Sequence, residues 1–222
     1  MTLAAVLWDM DGTIVDTEPY WMQATVDLVT SHGGRWTLAD GLTLVGQELL
    51  TSARDILRRT GIALSPPQVV DALVTIVVAR VREGAPWQPG ARELLASLRE
   101  HGVPLALVTM SYSLLAEAVV DQLPVGTFDS LVTGDRVSYG KPHPEPYLTA
   151  AAEVGADPRR CVAIEDSPTG LASAEAAGCR SLGVEKHVTI PPAPGRSRLP
   201  SLAGVSVADL ARIAAGQSID ML

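Results

Sequence analysis

The sequence predicts an α/β protein: a parallel sheet covered by helices on both faces, interrupted early by an inserted helical segment. Three observations carry this expectation. Short, continuously apolar runs recur and stop abruptly at polar residues, as strands buried on both faces do. From about residue 91 these runs alternate with helical patterns, the grammar of βαβ units. Between about 17 and 84 the apolar spacing is helical and no strand pattern stands out. Of the 222 residues 47% are hydrophobic and 19% charged, which suits a sizeable core and argues against disorder.

The elements follow in order. Leu3 to Trp8 is a continuously apolar strand that ends at Asp9. Thr17 is a candidate N-cap with Pro19 in the first turn, and the helix runs through Leu28 and Val29 to a stop at Gly33-Gly34. A loop containing Gly46 leads to a helix over about 48–60, with Leu49, Leu50, Ala53, Ile56 and Leu57 at helical spacing. Ser65-Pro66-Pro67 opens another helix. Its valines and leucine at 69, 70, 73, 74, 77, 78 and 81 repeat with a period near 3.6, which outweighs the modest helix preference of valine. The Pro- and Gly-containing linker at 84–90 closes the insertion. The expected division is therefore 1–16 with 85–222 as an α/β core, and 17–84 as a helical insertion.

Beyond the linker a helix over about 91–101 precedes the strand 104–108, which ends at Thr109. A helix over about 113–122 precedes a short strand at 129–132 and a loop rich in Gly and Pro at 134–146. Tyr147, Ala150, Ala151 and Val154 mark a helix that ends at Gly155. The strand 161–164 ends at Glu165-Asp166, an Ala-rich helix spans about 168–177, and 181–184 is a last strand. Residues 187–204 are rich in Pro and Ser and read as irregular. Ser206 and Asp209 resemble a capping box for a short final helix.

Seventeen basic against 25 acidic residues give a formal charge of −8, which argues against binding nucleic acid or an anionic membrane surface. Cys161 and Cys179 form no CxxC pair and read as buried free thiols of a reducing compartment. The first apolar run is short and ends in acid, unlike a signal peptide, and no run approaches the roughly 20 residues of a membrane helix. The expectation is a cytoplasmic chain with no membrane or nucleic-acid partner, monomeric by default.

Ligands of open α/β sheets bind beyond the carboxyl ends of the strands. Taken alone, residues 6–13 read as a strand running into an acidic turn. The inventory of strand ends changes that. The first strand delivers Asp9 and Asp11, the second Thr109 and Ser111, the third leads by its loop to Lys141, and the fourth delivers Glu165 and Asp166. Carboxylates this close oppose each other's ionisation, and a hard cation such as Mg²⁺ relieves them. An Asp can serve as nucleophile and form an aspartyl-phosphate, with Lys141 and the Thr109 hydroxyl donating to phosphoryl oxygens. Asp11 could protonate the leaving alkoxide and later deprotonate water.

These residues resemble the haloacid dehalogenase superfamily of Mg²⁺-dependent phosphohydrolases. The motif DxDGT stands as Asp9-Met-Asp11-Gly12-Thr13, the strand-end Thr or Ser as Thr109, the Lys-Pro as Lys141-Pro142, and the acidic pair as Glu165-Asp166. The strings GKPHPEPY and IEDSPTG resemble the branch of β-phosphoglucomutases and small sugar- or polyol-phosphate phosphatases, over about residues 1–185. The resemblance implies a Rossmann-like three-layer core with the 17–84 insertion as a helical cap. It implies Asp9 as nucleophile and Asp11 as general acid/base, with Thr109, Ser111 and Lys141 as phosphate-binding residues. Asp9, the Asp11 carbonyl and Asp166 are the implied Mg²⁺ ligands, and Glu165 gives possible metal support. The implied substrate is a small phosphate ester.

Departures count as well. The mutases carry a cap His and Arg where this chain has Trp21 and Leu49, which weakens the mutase alternative. Phosphonate-cleaving relatives use a cap Lys, and residues 17–84 contain none. A phospho-accepting signalling receiver is an alternative of another class, though receivers carry no insertion after the first strand. Tyr20, Trp21, Gln47 and Glu48 would touch substrate only if the insertion closes as in relatives. His143 reads as a turn residue. His32, His101 and His187 read as surface residues, and Arg54, Arg58 and Arg59 as a solvated helix face.

Overall fold

A computed structural model describes residues 3–44, 49–186 and 188–222. The expectations placed on Gly46, Gln47, Glu48 and His187 lie outside the described residues. The chain separates into two compact units, Met1–Asp16 with Pro86–Leu222, and Thr17–Ala85.

The first unit is built on one sheet. Its strands are β1 (Ala5–Trp8), β2 (Leu105–Val108), β3 (Ser130–Val132), β4 (Cys161–Glu165), β5 (Arg180–Val184) and β6 (Ser197–Leu199). They lie in the order β3-β2-β1-β4-β5-β6 and every pair is parallel. β1 is central, with Leu7 opposite Ala106 on one side and Ala163 on the other. All four residues of β1 are buried, as are those of β2, because both faces of the sheet are covered. Alternate residues Ala5, Leu7, Ala106, Val108, Cys161 and Ala163 share one buried cluster with Tyr147, Ala150, Ala151 and Ala174. Strand alternation turns Val6, Trp8, Leu105, Leu107, Val162 and Ile164 to the other face, where they are equally buried.

The second unit is helical: α1 (Glu18–Ser31), α2 (Leu38–Gly41), α3 (Leu49–Thr60) and α4 (Pro66–Glu83). The buried face of α4 is Val69, Val70, Leu73, Val74, Val77, Val78 and Val81, the set whose period identified it as a helix. Gln68 Oε1 accepts from the Ser65 amide at 2.8 Å and closes its first turn. α2 arises where only a loop was expected, because Thr37 and Asp40 cap each other reciprocally. Arg59 is no simple solvated residue. Its guanidinium lies 4.3 Å from the Trp36 ring centroid and pairs with Asp40.

The remaining helices belong to the first unit: α5 (Ala91–Glu100), α6 (Ser113–Val120), α7 (Glu145–Glu153), α8 (Pro168–Ala176) and α9 (Val207–Ala214). α9 begins at the expected Ser206–Asp209 capping box. β6 corrects the reading of 187–204 as irregular. This three-residue edge strand is held to β5 by pairing, and Arg196 and Arg198 on either side of Ser197 are tied to Glu175 and Asp220. No described helix is long and apolar enough to cross a membrane.

Candidate active site

The site is assembled at the carboxyl ends of the central strands. β1 stops at Trp8, and the Asp9 amide donates to the Ile164 carbonyl of β4 at 3.0 Å, so Asp9 is the last residue stitched to the sheet. The chain then turns sharply. The Gly12 amide donates to Val15 O at 2.7 Å and the Ile14 amide to Met10 O at 2.9 Å. Gly12 has φ +90°, and a Cβ there would lie 1.9 Å from Asp166 Oδ2. Only glycine allows both the left-handed backbone and the approach of the β4-end carboxylate.

Lys141 lies in the loop between β3 and α7, and its side chain is only 6% exposed. Its ammonium has three acceptors for three protons: Asp9 Oδ1 at 2.7 Å, Glu165 Oε1 at 2.6 Å and the Val108 carbonyl at 2.9 Å. It thus ties the ends of β1, β2 and β4 together. Burial alone would lower the ammonium pKa, but the Asp9 and Glu165 carboxylates override it and hold it above its ordinary value. The second oxygen of Asp9 accepts from the Thr13 hydroxyl at 2.9 Å.

Glu165 is fully buried. Besides Lys141, its Oε1 accepts from the Tyr147 hydroxyl at 2.7 Å, and its Oε2 accepts from the Ser167 hydroxyl at 3.0 Å. Asp166 is different. Among the described residues no hydrogen bond reaches its carboxylate. Burial, followed by the charges of Asp9 and Glu165, pushes its pKa up to about 8. Burial, followed by Glu165, pushes Asp9 up to about 7 even against Lys141. One buried ammonium is too little positive charge for this many carboxylates. Ligand atoms of Asp9, Glu165 and Asp166 lie within 4.8 Å of one another. A compact, all-oxygen, under-neutralised set of this kind fits a hard divalent cation.

Asp11 points toward the β2 end. Its Oδ2 accepts from the Ser111 hydroxyl at 2.7 Å and from the Thr109 hydroxyl at 3.3 Å, and the Ser111 amide donates to Thr109 Oγ1 at 3.0 Å. The structure therefore brings all seven expected residues to one sheet edge: Asp9, Asp11, Thr109, Ser111, Lys141, Glu165 and Asp166. Thr109 and Ser111, expected on phosphate, here donate to a carboxylate. A hydroxyl that donates to one anion can donate to another, so the two placements draw on the same property.

His143 is exposed in the Lys141 loop, its ring 4.8 Å from that of Tyr139, and its carbonyl accepts from Ser173. In the helical unit the Tyr20 hydroxyl donates to the Gly84 carbonyl at 2.9 Å, and Trp21 is half-buried. Three supporting residues escaped the sequence reading. In the sequence Thr13 stands out only as the last member of the DxDGT motif. Tyr147 has the spacing of a core position, and its hydroxyl leaves no trace in an apolar pattern. Gln88 lies in the linker, yet it is 8% exposed and its Nε2 donates to the Gly12 carbonyl at 3.0 Å.

Known proteins resemble this chain in sequence and in fold. The haloacid dehalogenase-like hydrolase family matches residues 3–178. Hexitol phosphatase B of Escherichia coli O157:H7 is 33% identical over 222 residues, covering 96% of this chain and 95% of that protein. Hexitol phosphatase A of Escherichia coli K12 is 32% identical over 194 residues, covering 86% and 87%. Among solved structures, CbbY from Rhodobacter sphaeroides in complex with phosphate superposes with a TM-score of 0.83 at 28% identity, covering 95% of this chain and 99% of that one. The chain belongs to the haloacid dehalogenase-like hydrolases.

Proposed function

We propose that this hydrolase is a Mg²⁺-dependent phosphomonoesterase that acts on a small phosphorylated sugar or polyol through an aspartyl-phosphate on Asp9. The observation that carries the reading is the shared ammonium of Lys141, bonded to Asp9 at 2.7 Å beside an Asp166 carboxylate that no donor reaches among the described residues. A carboxylate buried at a strand end and flanked by an ammonium is placed to attack phosphorus and to have the transferred oxygens neutralised. The hexitol phosphatase relatives favour a sugar or polyol ester as the substrate class.

Asp9 attacks phosphorus, forming one O–P bond as the ester O–P bond breaks. Asp11, as the acid, gives its proton to the departing alkoxide. The resulting Asp11 carboxylate then takes a proton from water as that water attacks phosphorus, which releases inorganic phosphate and restores Asp9. Thr109, Ser111 and Lys141 donate to the phosphoryl oxygens. Asp9, the Asp11 carbonyl and Asp166 would hold Mg²⁺, with Glu165 in support; when bound, Mg²⁺ neutralises charge on the transferring group. In this reading the helical unit 17–84 is the cap that encloses the substrate, and the enzyme works as a cytoplasmic monomer.

The test is hydrolysis of an aryl phosphate with Mg²⁺. Wild type should release phosphate, and Asp9→Asn should not. Activity unchanged in Asp9→Asn would remove Asp9 as nucleophile. The same assay with a hexose 1-phosphate and a priming bisphosphate separates hydrolysis from mutase chemistry, since a mutase yields the 6-phosphate rather than free phosphate.

A further inference from the structure

We propose that Gln88 is a positioning residue for Asp9, acting through the Gly12–Thr13 peptide; the assignment rests on the phosphatase reading above. Two short segments meet here within the sheet unit. The outgoing one is 14–16 and the returning one is 86–88. The Asp16 amide donates to the Pro86 carbonyl at 2.9 Å and the Gln88 amide to the Ile14 carbonyl at 2.8 Å, with an antiparallel bridge between Val15 and Trp87. The returning segment thus lies against the turn that follows β1.

Backbone pairing alone would leave the Gly12 carbonyl without a partner from this segment. The Gln88 side chain reaches it at 3.0 Å. Gln88 is 8% exposed, so its amide has exchanged water for this carbonyl, and a long polar side chain buried this far is held by the bond it makes. The carbonyl it holds belongs to the peptide whose N–H is that of Thr13. Thr13 donates that N–H to Met10 O at 3.3 Å, and its hydroxyl to Asp9 Oδ2 at 2.9 Å. The chain of contacts is Gln88, the Gly12–Thr13 peptide, the Thr13 hydroxyl, then the nucleophilic carboxylate. Gly12 has the left-handed φ of +90° against Asp166, and the plane of this glycine peptide is set by two bonds, from Gln88 to its carbonyl and from its N–H to Met10 O, of which the Gln88 bond is the shorter at 3.0 Å. Gln88 touches neither the substrate nor the reacting atoms. It sets which way Thr13 presents its hydroxyl and so the rotamer of Asp9.

The experiment compares wild type with Gln88→Met and Gln88→Glu, both near the original length. Met removes the donor, and Glu sets an acceptor against an acceptor. Backbone hydrogen exchange at Gly12, Thr13 and Ile14 is measured by NMR in the metal-free chain, and steady-state kinetics with an aryl phosphate and saturating Mg²⁺ are measured alongside. The proposal expects exchange at these amides to quicken about five- to tenfold, the factor one net hydrogen bond sets, while amides of β5 do not change. It expects kcat to fall by a similar factor with KM within about twofold, more in Glu than in Met. Unchanged exchange at 12–14 overturns it, and so does quickened exchange with unchanged kcat, which leaves Gln88 a structural tie. If neither variant folds, the side-chain amide protons of Gln88 in wild type decide: exchange as fast as in an exposed glutamine overturns the proposal. A wild type that does not hydrolyse the aryl phosphate overturns the phosphatase reading instead, and the exchange data still report whether Gln88 holds the turn.

Discussion

Lys141 shows how much one side chain can carry. Its ammonium has carboxylates at 2.7 and 2.6 Å, and both are buried with it. Replacing it by Met of similar length leaves those carboxylates without their cation. Breaking one side of a buried ion pair costs about 3–5 kcal/mol. Lys141→Met should therefore unfold at distinctly lower urea and lose phosphatase activity, and added Mg²⁺ should recover part of the stability but not the activity. Tyr147→Phe is a milder probe. The ring stays, and Glu165 Oε1 loses one of its two donors. A hydrogen bond to a charged group contributes about 1.5–3 kcal/mol, so urea denaturation should report a loss of that size. The seven expected residues were legible because their types are unusual at the ends of apolar strands. Tyr147, Thr13 and Gln88 were not, because what defines them is a partner 18, 4 or 76 residues away.

At the scale of elements, the strand ends were legible and the exact caps less so. A continuous apolar run that stops at a carboxylate announces both a buried strand and its carboxyl end. β6 gave no such signal, since it has three residues with an Arg at its centre and owes its place to pairing with β5. α2 was hidden in a four-residue capping box. The start of α8 supplies a further test. A Cβ on Gly170 would lie 1.8 Å from Glu165 Oε1, so the absence of a side chain is what lets α8 pack down on the carboxylate that holds Lys141. Gly170→Ala must push α8 or Glu165 aside. Overpacking of this kind costs about 1–3 kcal/mol, and thermal unfolding should fall accordingly, with kcat reduced because Lys141 moves with Glu165.

Across the whole molecule the balance is acidic, with a formal charge of −8, and the site concentrates that imbalance. Asp9 and Asp166 have an ordinary carboxyl value of 3.8 and are raised to about 7 and about 8 in the fold. The folded chain therefore keeps protons that the unfolded chain releases near pH 4. Stability contributed by these protonated groups is full below that point and is lost as pH rises through 7 to 8. The metal-free chain should show a thermal midpoint that declines between about pH 5 and pH 8. Mg²⁺ should raise the midpoint most at the alkaline end, because its binding requires the carboxylates to be deprotonated. A midpoint that rises across this range without metal would show that the carboxylates are neutralised some other way.

The central claim is that phosphate passes through Asp9. The most direct measurement is to quench the enzyme in acid during turnover of an aryl phosphate with Mg²⁺, reduce with borohydride, and map the peptides by mass. An acyl phosphate on Asp9 is reduced to homoserine at position 9, and this is the predicted result, absent without substrate. Turnover that continues with no homoserine at position 9, or with homoserine at another carboxylate, would contradict the account.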